Sequence, residues 1–179
     1  VYQKILDKAA EGLSPTALNS FRKCSLQFYL SEIAGIREPE DPGDTIDARM
    51  LGTAVHHALF KLYAPLKGKI LHLSDIDAMK KSAVTAVRTA FEEKFKKPAL
   101  NYGKNLLLVH VATRMVQNFL ESEQIRLLSC QSSGTAIRIE ALEQPVWRGL
   151  PLKVNGREHE VRIKGFIDRA DREGVELRM

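Results

Sequence analysis

Two short stretches carry residues whose types and spacing could do chemistry. In Val161 to Arg172, VRIKGFIDRADR, strand alternation puts Val161, Ile163 and Ile167 on one face and Arg162, Lys164, Phe166 and Asp168 on the other. A carboxylate holds a hard cation by its oxygens while neighbouring cations meet a phosphate's charge, so this mixed face suits phosphate chemistry. Gly165, three residues before Asp168, marks a bulge or a close approach by another backbone or a ligand. The same pattern also describes an ordinary solvated strand end. The second stretch is GTAVHHAL, residues 52 to 59. On a helix, His56 shares a flank with Gly52, Leu59 and Tyr63, whereas His57 points about 100° further round, towards Lys61. Adjacent helical histidines cannot both face one metal, so a paired-histidine site is excluded. Gly52 leaves space beside His56, which could be a ligand or a hydrogen-bonded structural residue. Cys24 falls at helical spacing with Leu18, Phe21 and Phe28 and reads as a small member of a buried stripe.

Composition limits the setting. With 179 residues, 44% hydrophobic and 27% charged, the chain is long enough for one domain with a real core and is not a disordered segment. A net charge of +5 and a pI near 9.2 fit an anionic partner such as nucleic acid. Cys24 and Cys130 are far apart and form no CxxC, which argues against a disulfide framework or an intrachain zinc site and makes a reducing, cytoplasmic compartment the default. The longest apolar run, Leu106 to Ala112, is too short to span a bilayer, and no signal peptide opens the chain. The sequence starts at Val1 and stops at Met179 in the middle of a strand pattern, which is expected of a piece of a longer protein.

The elements that must position these residues follow in order. Ser14-Pro15 starts a helix whose Leu18, Phe21, Cys24 and Phe28 face should be buried, and Gly35 with the exposed run at 37–44 ends it. A helix over 46–64 has Leu51, Val55, Ala58 and Leu62 as its core stripe. Ser74 and Asp77 form a capping box for a helix that buries Ile76, Met79, Ala83, Val87, Phe91 and Phe95 and stops at Pro98, with a basic outer face. A further helix spans 104–129, with Leu107, Val111, Arg114 or Met115, and Asn118 or Phe119 at its turns. After 131–134 the period changes to two: Ile137 and Ile139 alternate with Arg138 and Glu140, Leu152 and Val154 follow, Asn155-Gly156 makes a hairpin turn, 158–170 is a long strand, and Glu173-Gly174 sends 175–179 back alongside it. A mainly helical part, 1–130, thus precedes a β-meander, 131–179, in one α+β or mixed α/β domain whose sheet is unfinished.

Three segments carry a resemblance to the RecB/AddB-type branch of the PD-(D/E)XK nucleases. LSPTALNSFRKCSLQFYL at 13–30 is similar to that family's N-terminal helix, GTAVHHAL to its glycine-then-histidine motif, and GFIDRAD at 165–171 to the strand bearing its first metal-binding aspartate. The resemblance implies a restriction-endonuclease-like core with a mainly antiparallel sheet. It implies a metal-dependent exonuclease module, in a helicase-nuclease system of DNA repair and recombination, that hydrolyses DNA at single- or double-stranded ends. Asp168 and His56 would hold Mg²⁺ or Mn²⁺, and Arg162, Lys164 and Arg169 would contact DNA. The second carboxylate and the lysine of the (D/E)xK motif are expected beyond Met179. Glu176-Leu177-Arg178 has that spacing, but arginine is a poor proton handler. The 179 residues alone should therefore be inactive. Some relatives hold a [4Fe-4S] cluster through four cysteines, the first at the place of Cys24. A catalytically inactive DNA-binding scaffold of the same fold and a helical protein-interaction domain are the alternatives.

Overall fold

A computed structural model describes residues 2–36, 48–94, 100–154 and 156–179. Its elements are α1 (Tyr2–Glu11), α2 (Pro15–Lys23), α3 (Ser25–Phe28), α4 (Ala48–Tyr63), α5 (Leu73–Lys94), α6 (Gly103–Ser132), β1 (Ile137–Val154), β2 (Arg157–Glu173) and β3 (Glu176–Arg178). Helices followed by a three-stranded antiparallel sheet, in the order β1-β2-β3, make this a mixed α/β fold of the restriction-endonuclease-like kind. The chain groups into two compact units, Val1–Asp41 with Gln144–Ile167, and Pro42–Glu143 with Asp168–Met179.

The second unit holds the main core. Helix α5 buries Ile76, Met79, Ala83, Val87 and Phe91, the face its apolar spacing predicts, together with Ala90. It begins earlier than the expected Ser74 cap: the His72 amide donates to Asp75 Oδ2 at 2.9 Å, so Asp75 closes the first turn and Ser74 lies inside the helix. Phe95 and Pro98 lie outside the described residues. Helix α4 buries Ala54, Ala58 and Tyr63, and Leu51, Val55 and Leu62 pack against the same core from partly buried positions. The predicted start of this helix at 46–47 and the connection at 37–44 also lie outside the described residues.

On helix α6 the apolar residues read at the helical turns are not the ones that face inward. Val109, Ala112, Val116, Leu120, Leu127 and Cys130 are buried, while Leu107, Val111, Met115 and Phe119 stand at the surface. Both sets recur at three-to-four-residue spacing, so helical periodicity alone cannot choose between them. The chosen stripe contains the small Ala112 and faces α4 and α5, whose own buried stripes hold Ala54, Ala58, Ala83 and Ala90, so the helix backbones can approach closely.

Beyond α4 the chain makes a 3-10 turn at Ala64–Leu66 and then pairs with the start of β1. Gly68 N donates to Ile139 O at 2.7 Å, Ile139 N to Lys69 O at 3.1 Å and Leu71 N to Ile137 O at 2.8 Å. These bonds tie the helix bearing His56 to the strand bearing Glu143. Ile137 and Ile139 are fully buried, as their alternation predicts. At the other end of the meander, Asp171 pairs with Arg178 and Glu173 with Glu176 around the Gly174 turn, whose φ of +60° only glycine adopts freely.

The first unit departs further from expectation. Helix α1, unpredicted from the sequence, buries Ala9. Ser14 does cap α2, its Oγ accepting from Ala17 N at 3.1 Å with Pro15 at the first helical position. The helix then breaks at Cys24, which is extended at φ −159° and ψ 111°, restarts as α3 and ends in a π-turn over Tyr29–Ile33. Leu18, Phe21 and Cys24 are exposed and of the expected stripe Phe28 alone is buried, because the extended residue at Cys24 divides the stripe between two helices. Before α2, Leu13 bridges β2, its amide donating to Arg162 O at 2.7 Å and its carbonyl accepting from Lys164 N at 2.9 Å. Along β2, Val161, Ile163 and Ile167 are half-buried and Arg162, Lys164, Phe166 and Asp168 exposed, which is the predicted alternation.

Candidate metal centre

His56, from the middle of α4, meets two carboxylates. Its Nε2 lies 3.2 Å from Asp168 Oδ1 on β2, and its Nδ1 lies 3.2 Å from Glu143 Oε1 on β1. One donor atom from each residue can be chosen so that all lie within 4.8 Å of one another. The flank argument from the sequence holds: His57 turns away, and its Nε2 sits 3.0 Å from Glu93 Oε2, whose other oxygen pairs with Lys61. These two partners hold the Glu93 carboxyl below the usual carboxylate range, Lys61 first and His57 second.

Glu143 was not foreseen, for a geometric reason. Strand period extrapolated from Ile137 and Ile139 assigns residue 143 to the core face. Instead the alternation slips by one, so that Leu142 is buried, and Glu143 adopts φ +47°, the one positive φ at a non-glycine residue among those described. The phase has already slipped at Leu142, as at a bulge, and with this slip and its own left-handed backbone Glu143 brings its carboxylate to His56. No sequence periodicity signals such a slip.

The donor set fits a divalent cation. Ligands about 2.1 Å from a six-coordinate metal are about 3.0 Å apart along an octahedral edge, close to the 3.2 Å between His56 Nε2 and Asp168 Oδ1. Carboxylate oxygens with one imidazole suit Mg²⁺ or Mn²⁺. A cavity of about 300 Å³ opens beside the three residues, walled by Leu59, Phe60, Tyr63, Phe119 and Leu142. No lysine lines it among the described residues.

Arg169 does not take the position expected of a DNA contact. Its side chain is only 15% exposed: Nε and Nη2 donate to Asp171 at 2.7 Å each, Nη2 donates to Glu123 at 2.6 Å, and the guanidinium lies 4.3 Å from the Tyr63 ring centre. Arg126 joins the cluster, donating to Asp171 at 2.8 Å, to Glu173 at 3.0 Å and to Glu123 at 3.3 Å. Burial, reinforced by Glu123, pushes the Tyr63 phenol well above its ordinary value. Glu173 is held low by the Cys130 thiol, which donates to it at 2.9 Å, and by Arg126, while burial and then Glu173 raise the Cys130 thiol. This network fastens α6 to β2 immediately after Asp168.

The remaining candidates lie elsewhere. Arg162 and Lys164 are exposed in the first unit, Arg162 lying 5.1 Å above the Trp147 ring and Lys164 running past Gly12. Cys24 is exposed at the N-cap of α3, its Sγ accepting from Gln27 N at 3.5 Å, and Cys130 is buried in the second unit. Glu176 and Arg178 form the exposed β3.

No helix among the described residues is long and apolar enough to cross a membrane. A family model for the PD-(D/E)XK nuclease superfamily matches residues 12–179. Among curated proteins, none matches the chain.

Proposed function

Since the chain belongs to the PD-(D/E)XK nuclease superfamily, we propose that His56 and Asp168 are the metal-binding half of a site that hydrolyses DNA, in an exonuclease module of a RecB/AddB-type helicase-nuclease. The observation that carries this reading is the meeting of His56 with Asp168 at 3.2 Å, while the adjacent His57 is occupied by Glu93. Bound Mg²⁺ or Mn²⁺ would polarise the scissile phosphate and make the attacking water more acidic. Asp168 supplies the negative charge that holds the cation, and His56 supplies a directional nitrogen from a rigid helix. The neighbouring cavity has apolar walls, while Asp168 itself stands open to solvent.

The second carboxylate and the lysine belong to the strand that follows the Gly174 turn. Asp171 faces Arg178, and three further steps along each antiparallel strand set Asp168 opposite the second residue past Met179. Directly opposed side chains share a face, with Cβ atoms about 5 Å apart. An acidic residue there and a lysine two residues later would complete a (D/E)xK motif against His56 and Asp168. The 179 residues alone should bind metal and leave DNA uncut. Exposed Cys24 is the one cysteine available to an iron-sulfur cluster, and the [4Fe-4S] reading needs three more from outside these residues.

The test measures Mn²⁺ affinity of the 179-residue protein and cleavage by the chain extended past Met179. Asp168→Ala and His56→Ala should each lose both properties, with higher Mn²⁺ partly restoring cleavage to His56→Ala alone, and His57→Ala should keep most of both. Full activity in a normally folded His56→Ala variant, with His57→Ala inactive, would reverse the assignment.

A further inference from the structure

The two ring nitrogens of His56 face carboxylates at equal distance, 3.2 Å to Glu143 and 3.2 Å to Asp168, but in unequal surroundings. The Glu143 side chain is 36% exposed and that of Asp168 73%. Water competes less for a hydrogen bond in the more enclosed setting, so the single N–H of a neutral ring belongs on the Glu143 side. That leaves the Nε2 lone pair directed to the open side, where Asp168 stands. A second, independent observation singles out Glu143: its backbone is held at φ +47°, which costs a side-chain-bearing residue stability and persists only where the surroundings impose it. Arg172 engages the neighbouring Glu140 at 2.7 Å, whereas Glu143 meets His56.

We propose that Glu143 is a positioning residue: it accepts the Nδ1–H of His56, fixes the ring's tautomer and rotation, and so presents Nε2 beside Asp168 as the metal ligand. This rests on the metal-site reading above and adds to it a residue that contributes through the histidine instead of through the cation. Carboxylate–histidine–metal relays of this kind set ligand orientation, and their loss weakens metal affinity by about 10–100-fold.

Three variants of the 179-residue protein separate the possibilities, with Mn²⁺ titration, thermal melting and nitrogen NMR of the His56 ring as readouts. Glu143→Ala should bind Mn²⁺ about 10–100-fold more weakly and shift the neutral ring in metal-free protein from the Nδ1–H to the Nε2–H tautomer. Glu143→Gln, whose amide oxygen still accepts an N–H, should keep the Nδ1–H tautomer and most of the affinity. Glu143→Gly should lose affinity like Glu143→Ala yet melt no lower than it, because glycine relieves the positive φ. A parent ring already in the Nε2–H tautomer, or a Glu143→Ala variant that keeps both the Nδ1–H tautomer and the parent's affinity, would overturn the proposal. Glu143→Gln as weak as Glu143→Ala would also overturn it by making Glu143 a direct ligand. A parent that binds no Mn²⁺ but shows the tautomer shift would instead sink the metal reading and leave the orienting contact standing.

Discussion

Replacing Arg169 by methionine tests whether the buried ion network holds the second unit together. The arginine is 15% exposed and gives three charge-assisted bonds, two to Asp171 and one to Glu123, whose side chains are 5% and 10% exposed. Methionine fills much of the volume but removes three donors from Asp171 and Glu123, leaving these two nearly buried carboxylates to Arg126 and, for Glu123, a long 3.4 Å bond from the Tyr63 hydroxyl. Removing one partner of a buried pair costs about 3–5 kcal/mol, and the continued presence of Arg126 places this change near about 3 kcal/mol. At about 2–4 °C per kcal/mol for a chain of this size, the melting midpoint should fall by about 6–12 °C. Far-UV circular dichroism is the appropriate probe, because α4, α5 and α6 dominate its helical signal. The drop should persist in high salt, since buried pairs are weakly screened. Arg169→Lys should restore less than half of it, lacking the planar fork that spans Asp171 and Glu123. Arg169→Met with Asp171→Leu should lose less than the two single changes added together, as the deletion of both partners removes the orphaned charge. A midpoint for Arg169→Met within about 2 °C of the parent would refute the reasoning and mark the network as energetically idle.

Other outcomes follow from the same geometry. Glu173 has a lowered folded-state pKa, so its contribution to stability is complete above the unfolded carboxylate value and is lost as pH falls through the lower folded one; Glu173→Gln should flatten this acid limb in melting curves taken across that range, and an unchanged limb would contradict it. A thiol reagent should label exposed Cys24 rapidly and buried Cys130, whose thiol is raised by burial and Glu173, only on unfolding. DNA binding should weaken linearly in log affinity against log salt, and Arg162→Ala or Lys164→Ala should each reduce the slope by about 1. Arg169→Met should leave that slope unchanged, and a flat parent slope would remove the nucleic-acid reading.

The sequence by itself determined those features that depend on local period and local chemistry. The Ser14-Pro15 cap, the buried face of α5, the alternation of β2 and the separation of His56 from His57 all follow from 3.6 or two residues per repeat together with a cap or a turn. The motif stretches 52–59 and 165–171 contain His56 and Asp168, which the fold brings to 3.2 Å. Tertiary structure decided whatever required a choice between equivalent local solutions. On α6 two apolar stripes obey the same spacing, and close packing against the alanines of α4 and α5 selects the one containing Ala112. At Cys24 an extended residue divides the helix, so Leu18, Phe21 and Phe28 do not form one continuous stripe. Strand alternation turns Arg169 inward with Ile163 and Ile167, against what its charge suggests, and only the tertiary structure supplies Glu123 and Tyr63 as its partners there. Glu143 reaches His56 only through a one-residue slip and a left-handed backbone, a conformation that a glutamate's own preferences oppose and that long-range packing alone can impose.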